Sequence, residues 1–354
     1  MDAAFSAFSG PIREAAGAGR PLRLRGGGTK DFYGGEPCGE ILDTRSCAGI
    51  VSYEPSELVI TARCGTPLAD LESALAGNGQ MLAFEPPHFG PAATLGGCIA
   101  AGLSGPRRAA AGALRDFVLG ARIVDGRGRL LSFGGQVMKN VAGYDISRLL
   151  AGSLGTLGLI VEVSLKVLPK PPAECTLRFE MPEGRAIETM NRWAGIPLPV
   201  SATTWQDGAF AVRLSGAPVA LGAAANRLGG ERVDGAQADR FWQDIREQIA
   251  PFFAGDAPLW RLSFPSAASP LALPGTQLIE WNGALRWLRT DADPATLRAA
   301  AGQAAGHATR FRAGDRSAGP FAPLAPALAR LHRELKAVFD PAGILNRGRL
   351  YAEF

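Results

Sequence analysis

The sequence predicts an α+β protein, with a glycine-rich N-terminal region of two small α/β lobes followed by an α+β layer on an antiparallel sheet. Three observations carry this prediction. Strand and helix signals alternate up to residue 168, prolines at 169, 171 and 172 interrupt them, and several strand-like runs follow, two of them flanking Asn282-Gly283. At 354 residues the chain is longer than one core usually organises.

Residues 58–62 (Leu-Val-Ile-Thr-Ala) read as a buried strand. Thr66-Pro67 then opens a helix with Leu68, Leu71 and Leu75 on one face, and Gly77-Asn78-Gly79 stops it. A second α/β block has a strand at 117–124, a turn at Asp125-Gly126, a return at 130–133 and a short helix over 144–150. It closes on a strand in which Val161, Val163, Leu165 and Val167 alternate with Glu162, Ser164 and Lys166. Past the prolines, strands are expected at 174–180, 200–205, 209–214 and 258–264, and helices at 183–194 and 236–250. The Ala/Gly-rich stretch 217–230 reads as a small helix. Leu324, Leu328, Leu331, Leu335 and Val338 form one stripe on a final helix, expected to pack into the core, with His332 on its polar side.

Composition narrows the function. Charged residues make up 20% of the chain and the net charge is +4, which argues against a disordered or nucleic-acid-wrapping protein. The N-terminus lacks the pattern of a secretory signal, so a cytoplasmic location is the expectation. No run of about 18 apolar residues occurs, so any membrane association is expected to be peripheral. Five scattered cysteines, without a Cys-x-x-Cys pair, and only three histidines point to no metal site; redox work would need an organic cofactor.

Three glycine-dense segments stand out: Arg25-Gly26-Gly27-Gly28-Thr29; Thr94-Leu95-Gly96-Gly97 leading to Gly102 and Gly105; and Gly152 to Gly158. Glycines there either make turns or bring backbone N–H groups to an anion such as a pyrophosphate. Together they favour a dinucleotide, although none has the spacing of a Rossmann fingerprint.

The runs Leu22 to Thr29, Phe84-Glu85-Pro86-Pro87, Ala93 to Gly97, Arg115 to Gly120, Lys139 to Asp145 and Gly152 to Gly158, with Asp340 to Asn346 near the end, resemble the PCMH-type FAD-binding domain of the vanillyl-alcohol-oxidase superfamily. Within it, Glu85 to Pro91, Gly105 to Arg108 and Val137 to Asn140 are similar to the FAD-binding subunits of bacterial glycolate oxidases, also called glycolate dehydrogenases. The resemblance implies an FAD domain over 1–172, an α+β cap over 173–320, and a helix and tail over 321–354 returning to the FAD domain.

It also implies cofactor contacts. Arg25, Gly26, Gly27, Gly28 and Thr29 would form the first pyrophosphate loop, and Thr94, Gly96 and Gly97 the second. Gly102 and Gly105 would pass close to the flavin, Gly158, Leu159, Ile160 and Val161 would run along it, and Pro86 would belong to a loop opening toward it. Thr29 stands where relatives with covalent flavin carry a histidine, so FAD is expected without a covalent bond. The histidine motif of catalytic relatives is absent and the catalytic residues remain unknown. Among other candidates, His88 is read as structural before catalytic, Arg107 and Arg108 as phosphate or carboxylate partners or a solvated pair, and Lys139 as a residue of the family-specific run.

The implied role is a flavoprotein subunit of a multi-subunit 2-hydroxyacid oxidoreductase. Its partners would be a larger FAD-containing catalytic subunit and an iron–sulfur subunit, with the complex at the inner face of a membrane if anywhere near one. A partner-binding face is looked for on the cap sheet around Trp260, Trp281 and Trp287, tryptophans in such a layer being as often core. Two alternatives stay open: a self-sufficient FAD oxidoreductase, and a structural subunit without flavin.

Overall fold

The computed structural model describes residues 3–135 and 145–354; the run Val137 to Asn140, with Lys139, lies outside the described residues. Among the described residues the N-terminal region holds three sheets, the shortest pairing Gln80–Met81 antiparallel with Leu168–Pro169. A small one pairs Leu22–Arg25 in parallel with Glu40–Asp43. The helix Ala3–Gly17, which sequence reasoning missed, has Phe5, Phe8, Ile12 and Ala15 at helical spacing, and they pack with Leu22, Val124, Leu159 and Val161.

A five-stranded antiparallel sheet makes the second lobe. In spatial order it runs Ile50–Glu54, Val59–Arg63, Leu159–Lys166, Val118–Val124 and Leu130–Gly134. The runs at 58–62 and 117–167, read from sequence as separate blocks, therefore share one sheet, because Val59–Arg63 pairs directly with Leu159–Lys166. The helix Leu68–Ala76 buries Leu68, Leu71 and Leu75 against this sheet.

From Ala173 onward the chain builds an eight-stranded antiparallel sheet. Leu278 faces the N-terminal lobes and Ile279 the opposite side, where helices Glu183–Ala194 and Pro218–Leu228 cover it. Thr276–Glu280 and Leu285–Arg289 form the hairpin around Asn282-Gly283, with Asn282 at φ 57°. Helix Pro294–Gln303 and edge strand His307–Arg312 were not anticipated.

One expectation is corrected and one open choice is decided. The final helix, Pro326–Phe339, leaves Leu328, Leu331 and Val338 at 50%, 49% and 62% exposure and buries Lys336 and Phe339 instead. Lys336 Nζ reaches the carbonyls of Thr156 and Leu345 and the carboxylate of Asp340, each at 2.7–2.8 Å, so hydrogen bonding turns the polar side inward. His332 accordingly packs on Tyr351 and Phe354. Trp260, Trp281 and Trp287 are all buried, so of their two readings the structure selects core over partner face.

Candidate FAD site

A cleft opens where the strand Leu22–Arg25 ends. Its walls include Arg23, Arg25 to Asp31, Thr94, Gly97, Ala100, Ala101, Leu154, Asn346 and Arg349. The first two predicted loops thus meet at one place. After Arg25 the chain leaves its ladder, and the amides of residues 26–30 donate to no other described residue. Five successive unsatisfied N–H groups are a ready receptor for an anion.

Two glycines have different reasons to be there. A Cβ on Gly27 would overlap the Ala92 carbonyl oxygen, so this position is fixed by backbone packing. A Cβ on Gly97 would meet only Thr94 Oγ1 at 3.4 Å, so the space beside it belongs to whatever fills the cleft. Thr94 caps the helix Leu95–Ala101 by accepting from the Gly97 amide at 3.4 Å, which holds the second loop beside the first.

Charge favours a polyanion. Arg23, Arg25, Lys30 and Arg349 line the cleft against the one carboxylate of Asp31. Asp31 Oδ2 orients two of them, at 2.5 Å from Arg23 Nη2 and 2.8 Å from Arg25 Nε. Lys30 Nζ donates to the His88 carbonyl at 3.1 Å, and burial lowers its pKa. Arg349 is pulled down to about 10, chiefly by burial, and donates to the carbonyls of Asp31, Tyr33 and Gly35.

Asn346 ties the site together, accepting from the Leu24 amide at 2.7 Å and donating to the Leu154 carbonyl at 2.6 Å. It locks the first loop to the third glycine segment from the far end of the chain. Asn346 and Arg349 were missed as site residues. Asn346 had a signal, the Asp340 to Asn346 run, but its partners lie 322 and 192 residues away.

The other expected cofactor residues do not line this cleft. Gly96 packs against Cys64 and Gly102 against Gly152. Leu159, Ile160 and Val161 are buried strand residues following the buried Gly158. Pro86 is buried, and Gly105 lines a separate small cavity with Pro87, Arg261 and Glu280.

His88 Nε2 lies 3.1 Å from Glu72 Oε2, and its amide donates to Glu247, a structural arrangement. Arg107 is neither solvated nor a ligand contact. It binds Glu85 at 3.2 Å and Glu174 across to the eight-stranded sheet. No group of three or more His, Cys, Asp or Glu side chains suited to a metal occurs among the described residues.

Comparison with known proteins fits this geometry. The family model described as an FAD binding domain matches residues 9–134. The chain is 50% identical over 342 residues to glycolate oxidase subunit GlcE of Escherichia coli, covering 97% of this chain and 96% of that protein. The chain belongs to the GlcE family of glycolate oxidase subunits. Other members of the wider group are more distant. Glycolate oxidase subunit GlcD of Bacillus subtilis is 33% identical over 159 residues, covering 44% of this chain and 34% of that protein. The fold extends to an alkyldihydroxyacetonephosphate synthase, with TM-score 0.66 at 15% identity over 96% of this chain and 73% of that one. Membership of the GlcE family and a matched FAD binding domain make the chain an FAD-binding flavoprotein.

Proposed function

We propose that this chain is the FAD-binding subunit of a multi-subunit glycolate oxidase, taking part in the oxidation of glycolate to glyoxylate and passing electrons to partner subunits. The observation that carries it is the cleft with five unsatisfied amides and four cations, in a member of the GlcE family. FAD supplies electron acceptance. The amides of residues 26–30, with Arg25, would hold the pyrophosphate, Thr94 and Gly97 would bound it, and Arg23 and Lys30 would add charge. The working division is an FAD domain at 1–172, a cap at 173–320 and a returning tail at 321–354, with Gly96, Gly102, Gly105, Pro86 and Gly158 to Val161 as supporting contacts.

The partners are a larger FAD-containing catalytic subunit and an iron–sulfur subunit. No described helix is long and apolar enough to cross a membrane; a cytoplasmic place, with contact to the inner membrane face only through the complex, is our reading. The flavin is held without a covalent bond, because Thr29 offers no nucleophilic nitrogen. The test is to purify the chain, measure its FAD content and precipitate it with acid. Flavin should appear stoichiometrically in the supernatant; a colourless protein that FAD cannot reconstitute would refute the cofactor assignment, and flavin remaining on the denatured polypeptide would refute non-covalent attachment.

A further inference from the structure

We propose that the cleft between the helix Gly235–Glu247 and the eight-stranded sheet is a binding site for an uncharged aromatic molecule carrying one hydroxyl or carbonyl group. The cleft encloses about 540 Å³, and all the residues that line it lie between Thr176 and Leu278, so it shares none with the candidate FAD site. Sites for small organic molecules commonly span roughly 300–1,000 Å³.

Strand register explains the space. Thr204 stands opposite Ala211 on one neighbouring strand, and Gln206 stands opposite Ala209 on that strand and Leu278 on the other. Alternation puts these side chains on one face, where the two alanines fill little volume. The helix above is pinned at Trp242, whose Nε1 donates to Thr176 Oγ1 at 2.9 Å, and Trp242 and Ile245 pack on Ala202 and Ala211. Gln237, Phe241 and Asp244, three and four residues apart on one side of the helix, then wall the cleft.

Two features select the class of occupant. On the sheet, Thr204 is 3% exposed and its Oγ1 has no hydrogen-bond partner among the described residues. Leaving a buried hydroxyl unpaired is costly, and an oxygen on the ligand would satisfy it. On the helix, Phe241 is 37% exposed, with its ring held edge-on to Trp242 at 5.1 Å. An aromatic occupant covers that ring and gains from the ring contact. Val233, Ile245, Pro251 and Leu278 extend the apolar wall. The charged lining residues have both signs: Arg178, Arg232, Asp207 and Glu231 are exposed and Asp244 is half-buried. No charged side chain lies fully buried in the cleft to hold an ion, so the occupant is neutral.

The proposal is independent of the flavin assignment. Its test is equilibrium dialysis of 2-naphthol, uncharged at neutral pH, against the full chain with and without added FAD. Wild type should bind it saturably, with a Kd of about 1 mM or tighter. Thr204→Val, which keeps the shape and loses the hydroxyl, and Phe241→Ser should each weaken binding about fivefold or more. Thr204→Ser and the control Val219→Ser, at a position 86% exposed, should bind as the wild type does. Near-ultraviolet dichroism checks folding, and Phe241→Ser, at an exposed position, keeps the test decisive if Thr204→Val unfolds. 2-Naphthoate, the same rings with a carboxylate, should bind at least about tenfold more weakly, and FAD should leave 2-naphthol binding unchanged. No saturable binding at millimolar concentration, wild-type affinity in a folded Thr204→Val or in Phe241→Ser, equal affinity for 2-naphthoate, or displacement by FAD would each overturn the site.

Discussion

At the scale of single residues, the glycines divide into those the fold needs and those the ligand needs. Gly97→Val should abolish flavin binding while the melting temperature stays within a degree or two, because the added side chain enters the cleft. Gly27→Val should also lose flavin, but with a stability loss of about 1–3 kcal/mol or more, because it collides with the Ala92 carbonyl. Flavin content and thermal melts on both variants check this; unchanged flavin in G97V would mean the cleft is misassigned. The sequence showed both glycines and could not separate them, since Ala92 approaches Gly27 only through the fold.

Glu280 gives a second prediction at this scale. Its folded pKa of about 7 exceeds the ordinary 4.5, so between these values the folded chain keeps a proton that the unfolded chain has released. The stability it contributes is complete below about pH 4.5 and is lost as the pH rises through 7, for a total of roughly 3 kcal/mol. Glu280→Gln should remove that slope from denaturation midpoints measured between pH 5 and 8; an unchanged profile would refute the assignment. Nothing in the sequence marks Glu280, because its desolvation comes from the sheet and lobes that enclose it.

Among the elements, the final helix is the most instructive. Its leucine stripe has the spacing of a core-facing helix, and periodicity alone assigned it inward. Lys336 outweighs it, with three acceptors waiting in the N-terminal lobes and tail. Lys336→Met should therefore cost about 3 kcal/mol or more, leaving the buried Asp340 carboxylate without its cation, held only by the Leu345 amide, and the Thr156 and Leu345 carbonyls without the ammonium donor. Leu331→Gln should stay within about 0.5 kcal/mol in the isolated chain. Chemical denaturation of both variants decides it; the reverse ranking would restore the apolar stripe to the core. The paired strands and the Asn282-Gly283 hairpin were legible because alternation and turn chemistry act locally.

At the level of the whole molecule, a buried lattice joins the two units. Glu85, from the N-terminal lobes, pairs with Arg107 and, at 2.7 Å, with Arg213 of the sheet, and Glu174 completes it. Glu85→Ala leaves two buried guanidiniums sharing one carboxylate and should destabilise the chain by about 3–5 kcal/mol. A cooperative melt shifted to lower temperature is the expected readout; an unshifted melt would show that the lattice does not hold the units together. For activity, the isolated chain should hold FAD and oxidise glycolate negligibly in a dye-linked assay. The motif that supplies a base in catalytic relatives is absent, and His88 is engaged by Glu72. Robust turnover by the single chain would promote the self-sufficient enzyme.

What the sequence determined by itself was local: most of the longer strands, the glycine-dense segments, and a family resemblance dense enough to name the cofactor. Tertiary structure decided what depends on distant partners. It merged two blocks into one sheet, chose the buried face of the last helix, buried the three tryptophans, and brought Asn346 and Arg349 to the cleft. Periodicity and loop composition are written over a few neighbouring residues, whereas burial, charge pairing and the meeting of residues 322 positions apart are fixed only when the chain closes on itself.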